Sequence, residues 1–200
     1  DYRSSRGLGD VYTRQAYGLY ACNGILFTHE SPRRGKTFIT RKVTRTLVNI
    51  SLGIEQCLYV GNLDSKRDWG HAKDFVRMQW LMLQQKEPDD FIIATGKQYS
   101  VRELIETACN IIGIEIKFSG SGNKEIATVL RPPKNNKFIK KGDIIVKVDK
   151  KYLRPTETDS LQGDFKKAKD ILGWKPEISF KELIKEMIEH DIHEAKLESI

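Results

Sequence analysis

The sequence predicts an α/β protein, and three observations carry that expectation. Short apolar runs of strand length (Leu19 to Phe27, Cys57 to Val60, Phe91 to Ala94, Ile114 to Phe118, Asp143 to Val148) alternate with stretches of helical period. The first run is apolar and short, which suits a buried strand of a parallel sheet. Ser100-Val-Arg-Glu103 has the spacing of a capping box, in which a hydroxyl and a carboxylate each take a backbone amide at a helix start. At 39% hydrophobic and 30% charged, 200 residues suffice for a substantial core.

In chain order, residues 1–16 are polar and interrupted by Gly7 and Gly9, so they read as loop or frayed helix. A helix is expected from Thr37 to Leu52, with Thr37 as N-cap and Gly53 as stop. Its apolar positions Phe38, Ile39, Val43, Leu47 and Ile50 share one face. A second helix runs from about His71 to Gln85 and is broken by Pro88-Asp89-Asp90. A third follows the capping box to Gly113. Residues 119–142, rich in Gly, Pro, Asn and Lys, read as a surface excursion. Helices are expected at Leu161 to Leu172 and Ser179 to His193, separated by Gly173-Trp-Lys-Pro176. By chain order this divides into an atypical segment 1–16, a region 17–99 and a region 100–200.

Net charge is +7 and pI about 9.2, which favours anionic partners. No aromatic-basic RNA motif or helix-turn-helix pattern is present, so nucleic acid is the weaker choice. Cys22, Cys57 and Cys109 form no CxxC pair and read as reduced thiols of a cytoplasmic protein. No run approaches the ~18 apolar residues of a membrane span. The chain opens Asp-Tyr-Arg-Ser-Ser-Arg, without a signal-peptide pattern or an initiating Met, and is expected to be a fragment.

Three stretches carry candidate chemistry. Between positions 33 and 45 lie Arg33, Arg34, Lys36, Arg41, Lys42 and Arg45 with no carboxylate among them. Apolar residues are interleaved, so the run is either an anion-holding loop and helix or a solvated basic face. Arg67-Asp-Trp-Gly-His-Ala-Lys-Asp74 sets an Arg before a helix start; a guanidinium fork there suits a phosphate, and an ion pair is the plainer alternative. Tyr152-Leu-Arg-Pro-Thr-Glu157 follows a strand, and Pro155 fixes the backbone next to Arg154. Asp68 and Asp74 read as an acid/base pair or, better, as acceptors for nearby amides. His71 reads best as structural. His190 and His193 lie at i, i+3 on a helix, but no Cys or third His completes a site and Asp191 is expected to point elsewhere on the helix, so they read as an exposed pair rather than a metal site.

With Ala21-Cys-Asn-Gly-Ile-Leu-Phe27, His29-Glu-Ser-Pro-Arg-Arg-Gly35 and Leu172-Gly-Trp-Lys-Pro176, these runs resemble the GDP-mannose 4,6-dehydratase family over residues 17–195. The resemblance is to its C-terminal portion. It implies part of an extended short-chain dehydrogenase/reductase: a Rossmann-like parallel sheet remnant and a small mixed α/β substrate-binding lobe. In that family GDP-mannose becomes GDP-4-keto-6-deoxymannose plus water. NADP takes hydride from C4 and returns it to C6. The resemblance maps NADP contacts onto His29 and Arg34, and GDP-sugar contacts onto Thr28, Lys42, Arg67, Arg154 and Glu157. It implies a homo-oligomer, dimer or tetramer, through the Arg33-Arg34 loop.

The chain departs from the family at four places. Gly7-Leu-Gly9 lacks the third Gly of a dinucleotide turn, since Tyr12 stands there. None of the seven Tyr has a Lys four residues later, so no catalytic Tyr-x-x-x-Lys is present and no catalytic residue is assigned. Ser4 to Gln15 look foreign to the family. Thr28 stands where the family has Asn, and a hydroxyl lacks the amide's paired donor and acceptor. The expected activity is therefore that of a parent enzyme, with this chain inactive by itself. The alternatives are a non-catalytic GDP-sugar-binding or subunit-assembly module, and another nucleotide-sugar epimerase or reductase.

Overall fold

The computed structural model describes residues 4–153, 156 and 158–198. The chain begins with α1 (Ser4–Tyr17), β1 (Gly24–Leu26), β2 (Thr28–Glu30), α2 (Ile39–Ser51) and β3 (Leu58–Val60). Then come β4 (Lys66–Arg67), β5 (Trp69–His71), α3 (Ala72–Met82), β6 (Phe91–Ile93), β7 (Tyr99–Ser100) and α4 (Val101–Ile112). It closes with β8 (Glu115–Ser119), β9 (Ile126–Arg131), β10 (Ile144–Val148), β11 (Ser160–Leu161), α5 (Lys166–Leu172) and α6 (Phe180–Glu198). This is the α/β class that the sequence predicts. The elements gather into two compact units, each built from three stretches of chain. One holds residues 1–29, 68–97 and 162–179, and the other 30–67, 98–161 and 180–200.

In the first unit β1 and β6 pair in parallel, Gly24 opposite Phe91 and Leu26 opposite Ile93. Phe75, Met78 and Met82 of α3 pack on Phe91 and Ile93 with Ala168 and Trp174. β2 pairs with β5. The expected buried strand from Leu19 to Phe27 shrinks to three residues, and Leu19, Tyr20, Ile25 and Leu26 are exposed. Residues 4–17 form one helix despite Gly7 and Gly9, and it ends where Gly18 adopts φ +62° and bonds the Arg14 carbonyl. Arg14 then joins α1 to the rest, donating to Asp90 at 2.9 Å and to the Ala21 carbonyl at 3.0 Å. α5 begins at Lys166, later than Leu161, because the chain at Gly163 passes against its neighbours. A Cβ there would lie 2.2 Å from that of Ala94 and 3.0 Å from the Phe27 ring.

Asp89 and Asp90 make an acid-sensitive link in this unit. Lys167 donates to Asp89 and holds its carboxyl below the ordinary 3.8. Burial opposes the shift at Asp90, but bonds from Arg14 and Asn23 outweigh it and lower that carboxyl too. A depressed carboxylate contributes stability above its unfolded pKa, lost as pH falls through the folded value. Melting temperature is therefore expected to drop as pH falls below about 4. An Asp89→Asn, Asp90→Asn double variant is expected to show a flatter acid limb in the same thermal scans.

The second unit contains a mixed four-stranded sheet in the order β3-β10-β9-β8. β10 runs parallel to β3 and antiparallel to β9, and β9 is antiparallel to β8. The expected surface excursion over 119–142 is corrected here, since β9 crosses it as an interior strand. Its Ala127 and Val129 are buried, and that burial outweighs the polar residues on either side. A small sheet, β11-β4-β7, carries Arg67. α2, α4 and α6 pack on one another. The apolar stripe of α2 (Val43, Leu47, Val48, Ile50) joins Leu104, Ile105, Leu183, Ile184 and Met187 among the buried residues. The capping box is formed: Ser100 Oγ accepts the Glu103 amide at 3.1 Å, and Glu103 accepts the Ser100 amide at 2.6 Å. Gly113, at φ +89°, ends that helix in the left-handed region. Deep in α4, burial pushes the Cys109 thiol up to about 12, which keeps it protonated and inert at neutral pH.

Thr37 does not cap α2. Two tight turns take up residues 31–38, with the Arg34 amide on the Ser31 carbonyl at 2.9 Å and the Phe38 amide on Gly35 at 3.1 Å. Phe38 is left as the N-cap without a side-chain bond, and its carbonyl accepts the Lys42 amide at 2.7 Å.

Candidate functional site

In the second unit α2 carries Lys42 to a position where its Nζ lies 3.5 Å from the centre of the Tyr152 ring. A cation over an aromatic face is attracted by the ring quadrupole, which fixes both groups. Tyr152 sits in a one-turn helix, Lys150–Tyr152, capped by Asp149. That turn is fastened to the end of β3: the Asp149 amide donates to Val60 at 2.9 Å, and Tyr152 closes back on Asp149 at 3.0 Å. Gly61 makes the approach feasible. A Cβ on it would lie 2.3 Å from the Tyr152 carbonyl oxygen. Lys42 is thus brought beside the segment that leads into Arg154. Arg154 and Glu157 themselves lie outside the described residues. Tyr152 opens the candidate run Tyr152–Glu157, but the sequence does not mark Gly61 as a site residue. A Gly directly after a short strand was the available signal for it.

Arg67 ends β4, opposite Tyr99 in one neighbour and Leu161 in the other. Its Nη1 donates to the Lys66 carbonyl at 2.8 Å. The two aspartates of its motif serve the first unit as acceptors. Asp68 takes the Thr95 amide at 2.9 Å, the Thr95 hydroxyl at 2.6 Å and the Gly96 amide at 2.9 Å. Asp74 takes the amides of Glu177 and Ile178, both at 3.0 Å, while its own carbonyl accepts the Trp174 indole. His71 caps α3, its Nδ1 accepting the Lys73 amide at 3.0 Å. Asp68, His71 and Asp74 of this motif therefore hold the fold together.

The basic run is largely neutralised from within the second unit. Arg34 pairs with buried Glu30 at 3.3 Å and lies 3.7 Å over the Phe38 ring. Lys36 meets Glu198 at 3.3 Å, and Arg45 meets the same carboxylate at 3.4 Å. Arg41 is buried between Asp191 at 2.8 Å and Glu194 at 2.6 Å. Among the described residues Arg33 is exposed and makes no ion pair. His190, Asp191 and Glu194 do converge, their ligand atoms within 4.8 Å of one another. This corrects the expectation that Asp191 points elsewhere, but the cation they surround is the Arg41 guanidinium.

In the first unit Thr28 and His29 follow β1, and Thr95 and Gly96 follow β6. Both pairs stand at the carboxyl ends of parallel strands, where α/β sheets place nucleotide ligands. His29 Nδ1 donates to the Phe27 carbonyl at 3.1 Å, and its ring lies 5.0 Å from that of Phe75. That leaves Nε2 as the ring atom for a ligand. A Cβ on Gly96, at φ +73°, would meet the Phe165 ring at 3.0 Å.

The fold is similar to that of RMD from Pseudomonas aeruginosa complexed with NADPH, with TM-score 0.74 at 19% identity over 94% of this chain and 53% of that one. It is also similar to dTDP-glucose 4,6-dehydratase from Bacillus anthracis in complex with NAD, with TM-score 0.67 at 14% identity, covering 96% of this chain and 50% of that one. The likeness is one of fold: the chain shares the α/β fold of these two proteins. The GDP-mannose 4,6 dehydratase family pattern matches residues 10–187, and the chain belongs to that family. The match brings residues 10–15 inside the pattern, although Ser4 to Gln15 read as foreign. GDP-mannose 4,6-dehydratase of Yersinia enterocolitica is 58% identical over 187 residues, 93% of this chain and 50% of that protein. The human protein is 51% identical over 197 residues, 95% of this chain and 50% of that one. The chain spans about half the length of the curated relatives it matches.

Proposed function

We propose that this chain supplies the GDP-sugar-holding part of a GDP-mannose 4,6-dehydratase, a lyase that converts GDP-mannose to GDP-4-keto-6-deoxymannose and water. The observation that carries the reading is Lys42 held against Tyr152, at the entry to the Arg154-Pro-Thr-Glu157 run. Lys42 and Arg67 place positive charge for the nucleotide, Arg154 offers a fork to the diphosphate, and Glu157 accepts from ribose hydroxyls. Thr28 meets the sugar with a single hydroxyl. His29, through Nε2, and Arg34 hold NADP. When bound, that group supplies reversible hydride acceptance. The exposed Arg33 supports a homo-oligomer, dimer or tetramer, built through the same loop, and the protein works in the cytoplasm. The 200 residues contain no Tyr-x-x-x-Lys, so by themselves they bind GDP-sugar without turning it over.

Calorimetry tests this directly. GDP and GDP-mannose are expected to bind the chain, and Lys42→Ala is expected to weaken both by about tenfold, or about 1.4 kcal/mol. Chromatography of GDP-mannose incubated with the chain and NADP is expected to show no keto-sugar. Absence of GDP-mannose binding would overturn the substrate-holding role. Turnover by the isolated chain would overturn the need for further catalytic groups.

A further inference from the structure

Arg41 has an arrangement that packing alone does not require. It stands in the first turn of α2, and its side chain is 3% exposed. Two α6 carboxylates answer its charge: Asp191, fully buried, at 2.8 Å from Nε, and Glu194 at 2.6 Å from Nη2. Thr44 donates to the other Asp191 oxygen at 2.6 Å and so orients that carboxylate. His190 Nδ1 lies 3.5 Å from Nη2. The remaining arm, Nη1, donates to the carbonyl of Pro32. That carbonyl belongs to the residue immediately before Arg33-Arg34, inside the turn closed by the Arg34 amide on Ser31. One planar fork therefore ties α6 to the backbone of the turn. A lysine could keep the charge on Asp191, but it has no second arm for Pro32.

We propose that Arg41, oriented by Asp191 and Glu194, is the positioning residue of the Ser31–Gly35 turn and sets where Arg33 and Arg34 present their side chains. The link runs from α6, more than 150 residues along the chain, to the turn that the preceding reading assigns to the cofactor; its functional consequence rests on that reading. Lys36 and Arg45, on either side of Arg41 in sequence, both meet Glu198 and extend the contact one turn further along α6. α6 is thus a brace for the turn as well as a core helix.

Amide hydrogen exchange on the whole chain, comparing wild type with Arg41→Lys, reads the positioning without any ligand. The Arg34 amide is expected to lose about tenfold in protection while α4 and the interior of α2 keep theirs. Glu194→Gln, at a half-exposed position, serves as the milder second variant if Arg41→Lys does not fold, and the same local loss is expected at smaller size. Unchanged protection at Arg34, or a loss spread evenly over α2 and α6, would overturn the proposal. NADPH titration by fluorescence adds the functional arm. Arg41→Lys is expected to weaken binding, and the Arg41→Lys, Arg34→Ala pair is expected to bind no more weakly than Arg34→Ala alone, because both act through one turn. Full additivity would overturn the link between brace and ligand. Local loosening with unchanged NADPH affinity would leave the brace standing and remove the cofactor assignment of the turn.

Discussion

Replacing Asp68 with alanine is expected to lower stability by about 4 kcal/mol, since bonds to a charged acceptor contribute ~1.5–3 kcal/mol each and do not add fully. The carboxylate is 1% exposed and serves two separate stretches of the first unit. One oxygen takes the Thr95 amide and hydroxyl; the other takes the Gly96 amide at 2.9 Å and the Gly163 amide more loosely, at 3.4 Å. Alanine removes every acceptor at once and leaves at least two amides facing an apolar gap. Asp68→Asn keeps one oxygen and turns an NH2 toward an amide donor, so about half the loss is expected there. Urea unfolding followed by tryptophan fluorescence reads both values. A loss below about 1 kcal/mol for alanine would mean that water replaces the carboxylate, which contradicts the burial described here.

Gly61→Ala is the second large effect, and it couples stability to binding. The added methyl would meet the Tyr152 carbonyl oxygen at 2.3 Å and its carbon at 2.9 Å. These are backbone atoms, so no rotamer change relieves the contact. Either the end of β3 or the 149–153 turn must shift. Forcing a methylene into such a contact costs about 1–3 kcal/mol. The shift also moves Tyr152 away from Lys42. Affinity for GDP-mannose is therefore expected to fall by about tenfold or more, beside a stability loss of about 2 kcal/mol. Gly9→Ala is the control: a Cβ there meets nothing within 4 Å, and binding should not change. Equal affinity in Gly61→Ala and wild type would separate the turn from the ligand.

Much of this was legible in the sequence, and the illegible parts share a cause. Local chemistry could be read locally. The capping box at Ser100 and Glu103 and the stop at Gly113 each need only neighbouring residues, whereas α3 ends at Met82, short of the expected break at Pro88. The family runs were also legible, because His29-Glu-Ser-Pro-Arg-Arg-Gly35 and Arg67-Asp-Trp69 are specific strings. β9 was hidden because its flanks are rich in Gly, Lys and Asn while its burial is decided by β8 and β10. The N-terminus of α2 was misplaced because two turns, rather than the hydroxyl of Thr37, set where the helix begins. The basic run looked like one anion-binding surface, yet its partners Asp191, Glu194 and Glu198 stand about 150 residues away. No pattern within the run could reveal that it was already neutralised. Asp68 was readable as an amide acceptor, but which amides it takes depends on the returns of the chain at Thr95 and Gly163.

The interleaved make-up of the two units sets the order in which the molecule can be assembled. The first core needs Ala168 and Trp174 against Phe75 and Phe91, and the second needs α6 against α2 and α4. During synthesis, neither can close until the residues from Ala168 to the end of α6 have been made. Loop closure over such separations is entropically slow to begin, and apolar segments stay uncovered while it waits. Leu47, Leu104 and Phe75 are therefore surfaces for chaperone capture in the nascent chain, although in the finished protein they are inaccessible.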